Sequence, residues 1–185
     1  MGQVLKLVYT RRNSHPGYFS GTGNDLSILL RMKEDNDGAE PAASSVAALN
    51  LLRLSQLLND DAMRQRAVRT IMAFGATLSR VPSAMPQMLV ALGGSLSKPR
   101  QIVIAGERDQ HDTRALLREL HTAYLPNKVI ILADGAAGQR FLQEKLPELV
   151  AMEKLGGRAT AYVCENFACQ APVNDPAALR ELLAG

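Results

Sequence analysis

Residues 37–54 read D-G-A-E-P-A-A-S-S-V-A-A-L-N-L-L-R-L, an acidic Gly/Pro loop running straight into an apolar helix. Pro41 lacks a backbone donor and holds φ near the value a helix start requires, and Ser44 and Ser45 are ready N-caps. The helix predicted over Ser45–Leu58 carries Val46, Ala47, Leu49, Leu51, Leu52, Leu54, Leu57 and Leu58. Its only polar strip is Asn50, Arg53 and Gln56, so most of its circumference calls for packing partners. Asn59-Asp60-Asp61 supplies a stop and the next cap. Beyond it Met63, Ala67, Ile71, Phe74 and Leu78 recur at spacings of three and four, one face of a second helix. Pro82 and Ser83 open a third, with Met85, Met88, Leu89 and Leu92 inward and Gly93-Gly94 as its end.

From Gln101 the pattern changes. Q-I-V-I-A (101–105), K-V-I-I-L-A (128–133) and A-T-A-Y-V-C (159–164) are short β-branched runs, and helices are predicted between them near Asp112–Tyr124 and Gly138–Val150. Strand–helix–strand–helix–strand at this spacing predicts a three-stranded parallel βαβαβ unit, with Pro147 kinking or restarting its second helix. Asp175-Pro176 opens a last helix to Leu183. The expected fold is therefore mixed α and α/β. Residues 1–97 hold a loop-rich segment and the helices, residues 98–185 the βαβαβ unit with its C-terminal helix, and the two pack as one unit.

Composition narrows the function. The chain has 185 residues, 46% of them hydrophobic and 4% aromatic, and no tryptophan, as for an ordinary globular core rich in Ala and Leu. Its 21 basic and 18 acidic residues leave a formal charge of +3. No block of five or six like charges occurs, and Arg64, Arg66 and Arg69 lack the aromatic platforms that single-stranded nucleic acid uses, so no nucleic-acid partner is expected. No apolar run reaches the roughly 18–20 residues a membrane span needs, and residues 1–15 do not follow signal-peptide order. A soluble cytoplasmic protein without a membrane partner is the expectation.

Three places in the chain carry chemistry. Asp37 and Glu40 are closely paired carboxylates in a rigid loop. Facing one cleft they suit general acid–base catalysis; otherwise Asp37 stabilises the turn and Glu40 caps a helix or meets an arginine. Cys164 and Cys169 form C-x4-C, which lacks the C-x-x-C geometry of a thioredoxin-type pair and a nearby histidine for zinc. They are readable as buried structural thiols, as a disulfide or redox pair, or as metal ligands, and we expect structural thiols. Asp134-Gly135-Ala136-Ala137-Gly138 follows a strand and opens a helix, where a phosphate can sit on free N–H groups. It lacks the Lys-Ser/Thr of a P-loop and the third glycine of a dinucleotide fingerprint, so a plain turn is expected and no cofactor is implied. His15, His111 and His121 are scattered and form no triad.

Taken in order, D-G-A-E-P, L-N-L-L-R-L, P-N-K-V-I-I-L-A-D-G (126–135) and A-T-A-Y-V-C-E-N-F-A-C-Q-A-P (159–172) give the chain a family resemblance. From about Gly17 to Leu183 it resembles the C-terminal part of the family of spermatogenesis-associated protein 20 and its bacterial relatives. The resemblance implies a longer protein with an N-terminal thioredoxin-like domain and an (α/α)6 toroid like those of glycosidases and sugar epimerases. Residues 45–95 would then be part of the toroid, Gly17-Tyr18-Phe19 part of a hairpin on its rim, and any activity carbohydrate-related. The implied partner is the N-terminal part of that longer protein; without it, self-association through the helices of residues 45–95 is expected, and no catalysis by this stretch alone. The competing readings are a non-catalytic interaction module and a redox protein using Cys164 and Cys169. Where the family usually has Ser, a small residue and Asn after the proline, this chain has Ala42, Ala43 and Ser44.

Overall fold

The computed structural model describes residues 17–19, 27, 32–165 and 168–184. The chain divides into two compact units: one runs to Ser97 but omits Gln56–Asn59, and the other takes Gln56–Asn59 together with Lys98 onward.

The first unit is helical. Helix α1 (Ala43–Leu58) buries Ser44, Ser45, Ala47, Ala48, Leu49, Leu51, Leu52 and Ser55 and turns Asn50 and Arg53 to solvent, as its narrow polar strip predicts. Helix α2 (Asp61–Ala73) starts at Asp60, whose side chain accepts from the Met63 N–H at 3.0 Å. The predicted second helix breaks at Phe74, and its remainder is the separate short helix α3 (Gly75–Arg80). Ala67, Ile71, Phe74 and Leu78 still share one core with Leu49, Leu51 and Leu52. The third helix departs from expectation at both ends. Pro82–Ala84 is a 3-10 turn, helix α4 begins at Pro86, and it runs through Gly93-Gly94 to Leu96. Gly94 is buried there, so a side chain is missing at a packed position and not at a helix cap. Met85 and Met88 are fully buried, whereas Leu89 faces solvent. Residues 17–19 form no strand, and the rest of the expected rim hairpin lies outside the described residues.

The second unit corrects the parallel βαβαβ expectation. Strands β1 (Arg100–Ala105), β2 (Lys128–Ala133), β3 (Thr160–Glu165) and β4 (Ala168–Cys169) form one mixed sheet in the order β2-β1-β3-β4. Only β1 and β2 are parallel; β3 runs antiparallel to β1, with Ala105 opposite Thr160, and β4 antiparallel to β3. Helix length explains the difference. Helix α5 (His111–Thr122) links β1 to β2, and its 12 residues advance about 18 Å at ~1.5 Å each, enough to return along a six-residue strand of about 20 Å. Helix α6 (Ala137–Gln143) has 7 residues and advances only about 10 Å, so the chain does not regain the other end of the sheet. It continues through a 3-10 turn at Pro147–Ala151 and reverses at Leu155–Arg158, a bridged turn with φ of 61° at Gly156 and 74° at Gly157. Positive φ at both central residues suits a tight hairpin turn and favours glycine. The chain therefore enters β3 at the end of the sheet where β2 finishes, with Thr160 opposite Ala105 at the end of β1.

Strand β1 is central and buried from Gln101 to Ala105. Ile102 and Ile104 pack with Leu116 and Leu120 of α5 and with Leu179 and Leu183 of α7 (Pro176–Ala184). Val103 and Ala105 face the other way, onto Ile131, Leu146, Leu149, Met152 and Cys164. Each large aliphatic side chain fully buried in these layers contributes roughly 1.5–3 kcal/mol. Arg180 of α7 grips Glu119 of α5 with two hydrogen bonds of 2.8 Å. The Lys128 ammonium donates to the carbonyls of Leu120 and Ala123 at the C-terminal end of α5, where a cation is favoured, although partial burial lowers its pKa.

Candidate functional site

The acidic loop is built around Asp37. Its Oδ1 accepts from the Ala42 N–H at 2.8 Å, next to the start of α1. Its Oδ2 accepts from the N–H groups of Gln87 and Met88, at 2.9 and 3.3 Å, in the first turn of α4. The Asp37 N–H donates to the Ala84 carbonyl at 2.7 Å. Since Met85 at the N-cap of α4 has no side chain that can cap, Asp37 performs that service from fifty residues away in sequence. Glu40 is exposed and has no hydrogen bond or ion pair among the described residues. The two carboxylates thus sit in different environments: one half-buried and committed to backbone donors, the other in solvent. One turn further on, Ser44 Oγ accepts from the Tyr18 N–H at 2.8 Å and donates to the Tyr18 carbonyl at 3.3 Å. Ser44 thereby holds the buried Tyr18 against α1.

At the C-terminal ends of β1 and β2 the following helices lie on opposite faces of the sheet, the place where open α/β sheets often hold ligands. Here three of the backbone donors are already taken. Gly135 N–H donates to Gln139 Oε1 at 2.6 Å and Ala136 N–H to Asp134 Oδ1 at 2.9 Å, so both donors are used within residues Asp134–Gln139. Gly106 N–H donates to the Ala133 carbonyl at 3.0 Å. A Cβ on Gly106 would stand 2.4 Å from Thr113 Oγ1, which is why this turn carries glycine. Thr113 Oγ1 and Ser45 Oγ are buried without a hydrogen-bond partner among the described residues.

Asp112 has a part that the sequence reading overlooked. Its Oδ2 accepts from the Ala159 N–H at 2.7 Å and its Oδ1 from the Thr113 N–H at 2.9 Å, tying the start of α5 to the start of β3. The Ala159 bond is the main reason its carboxyl lies below the usual range. An acid in the first turn of a helix was the available signal; its long-range partner was not. Nearby, Lys154 donates to Glu107 at 2.9 Å and holds that carboxyl low as well. Asp109, His111, Arg114, Ala115 and Arg118 line a shallow surface groove along α5. Among the described residues no group of three or more His, Cys, Asp or Glu side chains could hold a metal ion, and no helix is long and apolar enough to cross a membrane.

Cys164 and Cys169 are directly opposite each other on β3 and β4 and are joined by a disulfide. The expectation of two buried structural thiols does not hold: the pair forms a cross-strand disulfide, the alternative the spacing left open, and neither cysteine is free. Cys164 is buried against Val103 and Ile131, whereas Cys169 is exposed.

No protein-family profile matches the chain, and no solved structure matches it. Known proteins do. The chain is 45% identical over 168 residues to human spermatogenesis-associated protein 20, a match covering 90% of this chain. The chain is a homologue of part of spermatogenesis-associated protein 20. The rat protein of that name is also 45% identical, over 170 residues, and an uncharacterized protein of Caenorhabditis elegans is 31% identical over 166 residues and 90% of the chain. The match spans only about 21% of the length of human spermatogenesis-associated protein 20 and 22% of the nematode protein.

Proposed function

We propose that this chain works as a non-catalytic segment of a longer protein related to spermatogenesis-associated protein 20, its helical unit docking further helices of the same polypeptide. The observation that carries this reading is α4. Its sequence, P-Q-M-L-V-A-L-G-G-S-L, has no charged residue. One stripe of it, Met88 and Ala91, is in the core, yet a second stripe of Pro86, Leu89, Val90, Gly93 and Leu96 is exposed, Leu96 to 79%. A surface helix normally turns charges outward, and contiguous exposed apolar surface marks an interaction face. The occupant we assign is apolar helices from the remainder of the longer protein, since the relatives hold several times the matched length.

A helical toroid and a carbohydrate-related activity are our proposal for that longer protein. Asp37 serves in it as a structural clamp, which its three backbone donors support. Glu40 is one carboxylate of this loop left to meet other parts of it. The test is sedimentation of the isolated chain at micromolar concentration. We expect self-association through the uncovered α4 stripe, abolished in the Leu89→Glu/Val90→Lys double variant with its helical circular dichroism intact. A wild-type chain that sediments as a single monomer would overturn the reading.

A further inference from the structure

We propose that Cys164–Cys169 is a thiol–disulfide exchange site, opened by an external dithiol while the rest of its unit stays folded. The bond is asymmetric: Cys169 lies exposed on an edge strand of two residues, and Cys164 lies in the core. The outer side of the link has little else to hold it. Residues 168–172 are all exposed. Beyond Cys169 the returning chain bonds β3 through Gln170 N–H to the Val163 carbonyl at 2.9 Å, and through the mutual Ala161–Val173 pair at 2.7 and 3.0 Å. Ala161 and Cys164 are separated by two residues, Val173 and Cys169 by three, so the edge carries an extra residue, with Pro172 lacking a donor inside it. On its inner side β3 pairs with β1 along six residues. Breaking the disulfide therefore loosens the edge and leaves the central pairing in place.

The exchange balances as two displacements. A thiolate of the dithiol attacks the Cys169 sulfur, and the S–S bond breaks with Cys164 leaving as a thiolate that takes up a proton. The second thiol then attacks its neighbour in the mixed disulfide and frees Cys169. The protein disulfide gains two electrons and two protons, and the dithiol is oxidised to a disulfide. Exposed disulfides are the ones such reductants reach, and the poise of the compartment decides which form persists. In the reduced form the backbone groups of Val163 and Ala161 that the returning segment occupies become an open strand edge.

The experiment uses the oxidised full chain in native buffer with dithiothreitol, quenched with N-ethylmaleimide and read by intact mass and peptide-level hydrogen exchange. We expect no label before reduction and two labels after it, with circular dichroism unchanged. Faster exchange should be confined to residues 165–173, while 100–105 keep their protection. The Cys164→Ser/Cys169→Ser variant should show the same local pattern, and reduced wild-type protein gives the answer should that variant not fold. Labelling before reduction, labelling only in denaturant, or loss of protection across β1 on reduction would each overturn the proposal.

Discussion

The Asp37 carboxylate accepts the backbone N–H of Gln87 at 2.9 Å, so one residue of the acidic loop closes the first turn of a helix fifty positions further along the chain. The same side chain accepts from Ala42 beside α1, which fixes the spacing of two helix starts with a single charge.

Asp37→Ala should therefore lower unfolding free energy by about 2 kcal/mol or more, because it strips a charged acceptor from three donors. Glu40→Ala, an exposed change without a partner to lose, should stay within about 0.5 kcal/mol. Urea denaturation of both variants measures this. Equal costs at the two positions would refute the clamp.

Asp112 gives the chain an acid-sensitive joint. Its folded pKa is below the ordinary 3.8, chiefly through the Ala159 N–H, so the ionised form favours the folded state. That contribution is complete above about pH 4 and is lost as pH falls from there through the depressed folded value. Stability measured from pH 6 to pH 2 should drop less steeply below pH 4 in Asp112→Asn than in wild type. Parallel curves would mean the carboxylate does not titrate with folding.

Two glycine substitutions in open space should have opposite signs. Gly93 lies inside α4 and nothing stands within 4 Å of an added Cβ, so Gly93→Ala should stabilise by about 0.5–1 kcal/mol. Gly157 is equally uncrowded but has a φ of 74°, so Gly157→Ala should destabilise by about 1–2 kcal/mol. Thermal melts of the pair decide the matter, and a neutral Gly157→Ala would contradict the tight turn that sends β3 antiparallel.

Leu120 and Tyr124 sit one turn apart in sequence and differ wholly in burial, 0% against 91% exposed. Leu120→Ala should cost about 2–5 kcal/mol through the cavity it leaves, and Tyr124→Ala close to nothing. A large loss at Tyr124 would place that ring in a contact absent from this fold.

The amino-acid sequence by itself determined the parts of this protein that depend on near neighbours. The apolar periodicity of α1 and α2, the Asp60 cap, the break at Pro147 and the three longer strands were all legible, because each rests on side chains within a few residues of one another. The direction of β3 was not, since it depends on whether the connection after β2 is long enough to return across the sheet, and α6 ends too early for that. Strand β4 is two residues long and exists only because β3 presents a partner. The chemistry followed the same division. Residue type and spacing singled out Asp37, Glu40, Cys164 and Cys169, but only the tertiary structure decided that Asp37 spends its lone pairs on Ala42, Gln87 and Met88, and that Cys164 and Cys169 face each other across two strands. Hydrogen bonds and disulfides are made by atoms brought together in space, and a separation of fifty residues leaves no periodic trace in the sequence.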